Sequence, residues 1–194
     1  MDNNKSSVEF DPVNHIYRVG GKILPSVTQL LPKQDYYVSD DRLAECAEEG
    51  IANHAAVEDM IKTGVSSCGY TDAVKRFMDE LRDIIGCLIG CEIPLASKKG
   101  FAGTPDLIFE NGIVDLKRGL RDKRIHALQT SGYNLLAVEN GLIKPTKQQY
   151  ILIAHDDGTY DAVNVYNSMA EGVFLSLVQK HKIEKTLEYY LKSI

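Results

Sequence analysis

The sequence predicts a single domain of the α/β or α+β class, in which a small central mixed β-sheet is covered by helices. Segments with apolar residues at three- and four-residue steps are followed by segments in which apolar and polar residues alternate. Glycine-containing turns divide the alternating segments into hairpins. The 194 residues contain no repeat, linker or low-complexity stretch, and an apolar fraction of 44% suits one globular domain.

A hairpin and two helices are predicted for the amino-terminal half. Residues 8–31 alternate apolar and polar side chains around Gly20-Gly21, which predicts a hairpin that leads through Pro25 into a short helical turn. Beyond it, apolar residues at helical spacing predict a helix over about 40–62 and an amphipathic helix over about 72–88.

The carboxy-terminal half is predicted to form most of the sheet. From position 92 the apolar period changes from that of helices to that of strands. The predicted elements are strands over 92–97, 101–110 and 113–117, a helix over 123–139, a hairpin of 150–155 and 160–165, and a closing helix over 169–191. An Asn111-Gly112 turn would join the second of these strands to the third.

That turn brings charged residues together. Asn-Gly between apolar runs is a strong hairpin signal, because a type I′ turn needs positive φ at both central residues. With Asn111-Gly112 as the turn, Asp106 would lie opposite Lys117 and Asp115 would lie diagonal to both. Strand alternation puts all three side chains on one face, where one divalent ion or one phosphate could touch them.

A cross-strand salt bridge between Asp106 and Lys117 is the simpler explanation of this spacing, and it is worth about 1 kcal/mol at most if exposed. The residues around it, Leu107-Ile108-Phe109 and Ile113-Val114, are strongly apolar, which predicts central strands and partly buried charges. Buried carboxylates are costly unless they are paired or bound to a metal. This argument weakens the salt-bridge explanation and favours a site.

The overall charge argues weakly against a protein that acts on nucleic acid. The net charge is −5, whereas neutralising phosphates usually requires a basic excess. Local basic clusters nevertheless occur, among them Lys117-Arg118, Arg121 and Lys123-Arg124. A solvated charged surface is the alternative explanation of these clusters.

Cysteine usage and hydropathy predict a cytoplasmic protein without a membrane partner. Cys46, Cys68, Cys87 and Cys91 contain no C-x-x-C pair, and the last two are spaced to share one helix face. We predict buried free thiols, with disulfide or metal-binding roles as the alternatives. No stretch reaches the roughly 20 apolar residues of a membrane span, and the polar start has no signal-peptide pattern.

The charged hairpin resembles the PD-(D/E)XK nuclease superfamily, and within it the RecB-like and phage-type exonucleases. The two motif halves stand here as Gly103-Thr104-Pro105-Asp106 and Asp115-Leu116-Lys117. On an earlier helix, Gly50 and His54 match the family's glycine-x-x-x-histidine element. The resemblance covers most of residues 8–140.

Two further matches and two departures refine the resemblance. Gln129 and Tyr133 match a glutamine and tyrosine four residues apart on the following helix, and residues 10–31 look like the start of phage-encoded members. Arg118 stands where RecB-like members usually have threonine. The chain lacks the carboxy-terminal cysteine trio of the iron–sulfur relatives, so we expect no iron–sulfur cluster.

The resemblance implies a restriction-endonuclease-like α/β fold with an αβββαβ core, an N-terminal hairpin and a C-terminal helix. Residues 1–194 would form one nuclease domain, divided into a hairpin segment at 8–35, a catalytic core at 40–166 and a helix at 168–194. The implied activity is metal-dependent hydrolysis of DNA by an exonuclease of the phage or prophage recombination type.

The resemblance also assigns residues. Asp106, Asp115 and Lys117 would be catalytic, with Lys117 holding or helping to deprotonate the attacking water. One or two Mg²⁺ or Mn²⁺ ions would be bound by His54, Glu92, Asp106, Asp115 and the carbonyl of Leu116. DNA would be contacted by Gln129, Tyr133, Arg118, Arg121 and Arg124.

Alternatives remain open at the sequence level. His54 could be an ordinary core histidine, and Gln129 and Tyr133 could simply make buried hydrogen bonds. A structure-specific or single-strand endonuclease would use the same core, and a non-catalytic DNA-binding or assembly module could retain the fold. Besides DNA, a phage single-strand annealing protein and an oligomeric assembly are the partners that the resemblance implies.

Overall fold

The computed structural model describes residues 8–33, 40–120 and 122–193, and it is a mixed α/β structure with a central mixed sheet flanked by helices. The predicted architecture is confirmed at this level. Arg121, which was predicted to contact the DNA backbone, lies outside the described residues.

The amino-terminal segment is a small antiparallel sheet followed by one helical turn. Its elements are β1 (Val8–Asp11), β2 (Ile16–Val19), β3 (Lys22–Leu24) and α1 (Val27–Leu30). The predicted turn is confirmed, since Gly20 and Gly21 have φ of 55° and 77°. The separate strand β1 was not predicted; the Asp11 carboxylate, which accepts hydrogen bonds from the Val13 and Asn14 amides, holds its turn.

The first long helix is confirmed. The prediction of the second helix, over 72–88, is wrong in its last third. The helix α2 spans Asp40–Thr63, α3 spans Gly69–Glu80, and a short α4 spans Arg82–Ile85. The chain then turns at Gly86, whose φ is 80°, and enters strand β4 (Leu88–Cys91). Leu88 continues the helical spacing in sequence but pairs with Phe109 in the sheet, so strand pairing overrides the local pattern.

The predicted strand 92–97 begins only at Leu95, and the predicted strand 101–110 is interrupted after Gly103. The segments that form are β5 (Leu95–Ser97), β6 (Phe101–Gly103) and β7 (Leu107–Phe109). Cys91 pairs with Leu107 before the break and Leu95 pairs with Gly103 after it, so one antiparallel register continues across the gap. Glu92 and Asp106 lie at the gap.

The predicted turn at Asn111-Gly112 is wrong, and so is the register that follows from it. Strand β8 spans Gly112–Leu116, and Phe109 pairs with Gly112, which makes Glu110 and Asn111 the turn residues. The Asn111 amide donates to Ile85 O at 2.8 Å, so a neighbouring loop holds the turn. Neither Asn111 nor Gly112 has a positive φ, so the type I′ geometry does not form.

The corrected register puts Asp106 opposite Asp115 instead of opposite Lys117. The shift is two residues, and a two-residue shift leaves every side chain on its original face. The predicted shared face of Asp106, Asp115 and Lys117 is therefore kept, but the directly opposed pair is now two carboxylates.

The remaining elements are confirmed and complete the sheet. They are α5 (Lys123–Glu139), β9 (Gln148–Ala154), β10 (Tyr160–Asn164) and α6 (Ala170–Lys192). The strand order is β10-β9-β8-β7-β4, with β8 and β9 parallel and the other pairs antiparallel. Helix α5 follows β8 and precedes β9 in sequence, so it forms the crossover that this parallel pair requires.

The core has one cluster on each face of the sheet. Ile108, Ile113 and Ile151 pack with residues of α1, α5 and α6 on one face. Leu107, Phe109 and other residues of the opposite face pack with α2 and α3. The strands at the centre are buried on both faces, as their continuous apolar sequence predicts.

The cysteines are free but are not all buried. Cys68 and Cys87 are exposed, and Cys46 and Cys91 are half-buried, so the prediction of four buried thiols is wrong. Cys87 precedes β4 and Cys91 ends it, so the two do not share a helix face. Within the described ranges, no helix is both long and apolar enough to span a bilayer.

Candidate metal centre

The break in the hairpin opens into a cavity of about 270 Å³. Its walls come from the amino-terminal sheet, α1, α2, the broken hairpin, β8 and α5. Its lining includes His54, Glu92, Asp106, Asp115, Lys117, Gln129 and Tyr133. Every one of these was predicted as a site residue from the sequence.

Three potential metal ligands converge at the gap. His54, from the middle of α2, places Nδ1 2.6 Å from Glu92 Oε1 and 3.7 Å from Asp106 Oδ1. One ligand atom from each of the three residues lies within 4.8 Å of the others. Imidazole and carboxylate at this spacing form a donor set that suits a divalent cation such as Mn²⁺ or Mg²⁺.

Glu92 reaches this position because its backbone leaves the extended conformation. Its φ is 51°, a left-handed value that is uncommon for a residue other than glycine. Across the gap, Pro105 has no amide to donate to a ladder, which suits a strand that stops just before Asp106. The break thus turns two opposed residues of a hairpin into cavity-lining carboxylates.

Asp106 is buried with an unfavourable charge. Burial and the facing Asp115 carboxylate raise the pKa of Asp106 to about 7, although His54 and Lys117 act in the opposite direction. The Leu116 amide donates to Asp106 Oδ2 at 2.6 Å and fixes the carboxylate. A cation bound at Oδ1 would relieve the remaining unfavourable charge.

Asp115 is held by two side chains. Lys117 Nζ lies 2.7 Å from Asp115 Oδ2, and Gln129 Nε2 donates to Asp115 Oδ1 at 3.1 Å. The Asp115 side chain is 1% exposed and that of Lys117 is 30% exposed. Asp115 is not among the three residues whose ligand atoms lie within 4.8 Å of one another.

The neighbouring carboxylates favour the charged form of both basic groups of the cavity. Burial lowers the pKa of Lys117, but Asp115 and Asp106 outweigh this effect, and the pKa lies above its ordinary value. Burial likewise lowers the pKa of His54, but the Glu92 hydrogen bond and the Asp106 charge outweigh it and raise the pKa. The cavity thus contains three carboxyl groups, one ammonium and one imidazole.

Gln129 and Tyr133 lie on the cavity side of α5, as their four-residue spacing predicts. Gln129 Nε2 also contacts the Tyr133 hydroxyl at 3.2 Å. Both side chains are buried, and the pKa of Tyr133 is raised by burial and by Asp115. Gln129 therefore positions Asp115, and Tyr133 keeps its proton.

Arg118 and Arg124 are not among the residues that line the cavity. Arg118 forms an ion pair with Glu49 of α2, and Arg124 forms one with Asp122 at 2.9 Å. Their role in binding DNA stays a prediction. Leu116 reaches the site through its amide, and a metal contact from its carbonyl also stays a prediction.

Sequence reasoning missed one wall of the cavity. Phe10, His15 and Tyr17 of the amino-terminal sheet line it, and Tyr17 donates to or accepts from the Thr104 hydroxyl at 2.9 Å. The alternation of residues 8–24 predicted a hairpin but gave no indication of where that hairpin packs. The motif resemblance of residues 10–31 was the signal that could have suggested it.

Comparisons with known proteins assign no family to this chain. No family model matches the chain, and no curated protein is significantly similar to it in sequence.

Proposed function

We propose that the chain is a Mg²⁺- or Mn²⁺-dependent deoxyribonuclease of the PD-(D/E)XK type, acting as an exonuclease of the phage recombination class on a restriction-endonuclease-like fold. One observation carries the proposal. Asp106, Asp115 and Lys117, which form the motif, lie in one cavity with His54 and Glu92. The sequence distances between these residues make a chance convergence of motif and cavity a poor explanation.

The fit of a divalent ion rests on the donor set. His54, Glu92 and Asp106 would hold it, with Asp115 as a nearby carboxylate that could join when substrate displaces its partners. When bound, such an ion would polarise a phosphoryl oxygen and lower the pKa of an attacking water.

The protein side chains supply the rest of the proposed mechanism. Lys117 stays protonated beside Asp115, so it would orient the attacking water and offset charge on the phosphate instead of acting as the base. Gln129 would hold Asp115 in place through the Nε2 contact. The hydrogen bond from the Leu116 amide would keep Asp106 Oδ1 directed at the cluster.

An exonuclease is preferred over an endonuclease because the motif elements within residues 8–140 resemble those of the RecB-like and phage-type exonucleases.

The test compares linear duplex with covalently closed circular duplex in the presence of Mg²⁺ or Mn²⁺. The wild type should degrade the linear form and spare the circle. Asp106→Asn and Lys117→Met should each lower the rate by roughly 100-fold or more. Asp161→Asn is the matched control, because Asp161 is an exposed aspartate on β10, outside the cavity.

Each of the other outcomes would indicate a different function. Cleavage of both substrates would identify an endonuclease and reject the exonuclease. Binding of DNA in a gel-shift assay without cleavage would identify the non-catalytic module. Full activity of both site variants would reject the mechanism.

A further inference from the structure

Three aromatic side chains of the amino-terminal segment form part of the wall of the cavity. Phe10 on β1 and Tyr17 on β2 are cross-strand partners, and His15 lies in the turn between the strands. All three line the cavity that contains His54, Asp106 and Lys117. The mechanism proposed above leaves this wall without a role.

The rings form an ordered group. Phe10 stacks on Tyr17 with centroids 4.6 Å apart and an interplanar angle of 22°. His15 meets both rings edge-on, at 5.4 Å from Phe10 and 5.5 Å from Tyr17. Such offset-stacked and edge-to-face contacts are the favoured arrangements of aromatic pairs.

The loop that presents His15 is fixed by its own hydrogen bonds. Asp11 accepts from the Val13 amide at 3.0 Å, the Asn14 amide at 3.1 Å and Asn14 Nδ2 at 2.8 Å. His15 itself has φ of 51°, in the left-handed region. The turn therefore holds its imidazole at the edge of the stacked pair.

The stack has one closed end and one open end. Tyr17 is 1% exposed, and its hydroxyl is bonded to Thr104, two residues before Asp106. Phe10 is only half-buried and His15 is exposed. Tyr17 covers one face of Phe10, and β1 is an edge strand of the described sheet, so no neighbouring strand of that sheet covers the other face. One more planar ring could continue the stack there.

We propose that Phe10, backed by Tyr17 and flanked by His15, is a stacking site for the base of the single nucleotide whose phosphate lies at the charged cluster. The proposal rests on the proposed function, since the nucleotide is the end of the DNA strand that is to be cut. It names the substrate more narrowly, as a terminal nucleotide whose base has left the helical stack.

Two physical arguments favour a nucleobase as the occupant. Stacking of a base on an aromatic side chain contributes about 1–3 kcal/mol and is tolerant of sequence, because every base has a π-face. Unstacking a base costs least at a strand end, where it has one neighbour instead of two. The Tyr17–Thr104 bond ties the aromatic wall to the segment that carries Asp106, so base and phosphate would be positioned together.

The experiment uses duplexes that carry 2-aminopurine at the 3′ or the 5′ terminal nucleotide, with Ca²⁺ replacing the reactive ion, and compares the wild type with Phe10→Leu and Phe10→Tyr. For the end that enters the site, binding to the wild type should change the fluorescence of the terminal 2-aminopurine. Binding to Phe10→Tyr should produce the same change. Phe10→Leu, which keeps apolar volume but removes the π-face, should weaken binding about tenfold. Far-ultraviolet circular dichroism of each variant verifies that it is folded.

A cleavage measurement gives a second readout. With Mg²⁺ or Mn²⁺, the wild type should cut a duplex with an abasic terminal nucleotide about tenfold more slowly than the normal one, as kcat/KM. Phe10→Leu should cut both at the same, lower rate, because the base then has no partner. His15→Ala, an exposed site, should lower the discrimination partially.

Failures of the two proposals are distinguishable. Equal cleavage of normal and abasic ends by the wild type, or unchanged discrimination in folded Phe10→Leu, overturns the stacking site while the nuclease stands. Absence of cleavage with a Phe10-dependent fluorescence change rejects the nuclease and supports base stacking. Absence of any fluorescence change at both ends overturns the stacking site as well.

Discussion

Glu92 and Asp106 face each other across the break in one antiparallel hairpin, where the Glu92 amide donates to the Asp106 carbonyl at 3.1 Å. Because the register is the same before and after the break, the interruption opens a local gap without displacing the strands. Backbone strain such as the left-handed Glu92 costs on the order of 1–3 kcal/mol and concentrates at functional sites. The gap is where His54 enters.

This relationship predicts that the pair binds a divalent ion together with His54. Mn²⁺ should raise the melting temperature of the wild type, by an amount that corresponds to about 2.7 kcal/mol at 100 times the Kd. Asp106→Asn and His54→Ala should each weaken binding, measured by calorimetry, by more than the roughly 10- to 100-fold seen for outer-shell groups. Asp161→Asn should bind as the wild type does; equal affinity in all four proteins would refute the site.

The raised pKa of Asp106 predicts a pH dependence of stability in metal-free protein. An aspartate titrates near 3.9 in an unfolded chain, whereas the pKa of Asp106 is about 7 in the folded protein. Between these values the folded state holds a proton that the unfolded state has released. This group therefore makes the free energy of unfolding fall as the pH rises from about 4 to about 7.

Replacing Asp106 by asparagine isolates this contribution. Asp106→Asn can still accept the Leu116 hydrogen bond but carries no charge. In urea unfolding with EDTA, the variant should gain stability relative to the wild type as the pH is raised from 4 to 6. A difference that is independent of pH would contradict the buried-carboxylate interpretation.

The fold was predictable wherever local sequence and tertiary context agree. Helix α5 has its predicted limits, because Asn140 and Gly141 end it and Gly141 adopts the φ of 73° that favours glycine. The Asn111-Gly112 signal failed because Ile85, far away in sequence, fixes the turn one residue earlier. Local turn preference is weaker than such a contact.

The candidate site was predictable for its motif residues and not for its aromatic wall. Asp106, Asp115 and Lys117 share a face in either register, since only an odd shift would separate them. Phe10 and His15 reach the cavity through packing between segments that are far apart in sequence. No periodicity within residues 8–24 encodes that packing, so the aromatic wall could be identified only from the structure.

The Asp115–Lys117 pair predicts a strong non-additive effect on stability. Lys117→Met should lower the free energy of unfolding by roughly 3 kcal/mol, since it leaves a buried carboxylate without its cation. This is the low end of the usual range for breaking a buried pair, because Lys117 is partly exposed. The double variant Asp115→Asn/Lys117→Met should recover most of the loss.

Urea titrations of the two single variants and the double variant measure the coupling. The single variant Asp115→Asn completes this double-mutant cycle, and its asparagine keeps an acceptor for Gln129. Additive effects of the two substitutions would mean that the ion pair contributes nothing.

Gln129 predicts a loss of activity without a loss of fold. Its Nε2 positions Asp115 and contacts Tyr133, so Gln129→Leu should lower kcat by about 10- to 100-fold, the usual effect of removing an orienting group. KM for DNA should change little if the side chain acts through Asp115. A higher KM with unchanged kcat would instead assign Gln129 to substrate binding.

Two helical glycines predict opposite responses to the same substitution. A Cβ at Gly132 on α5 would lie 2.9 Å from Phe174 Cζ and 3.0 Å from Val27 Cγ1, and Phe174 is fully buried against Phe101. Gly132→Ala should therefore destabilise the protein by about 1–3 kcal/mol through overpacking, despite alanine's better helix propensity.

Gly172, on α6, is the matched control. A Cβ there meets no heavy atom within 4 Å, so Gly172→Ala should stabilise the protein by about 0.5–1 kcal/mol through helix propensity alone. Thermal or urea unfolding of both variants gives the comparison. Stabilisation by both substitutions would show that α5 lies farther from α6 and α1 than described. Because Gln129 and Tyr133 lie on α5 and line the cavity, that result would also contradict their positions in the candidate site.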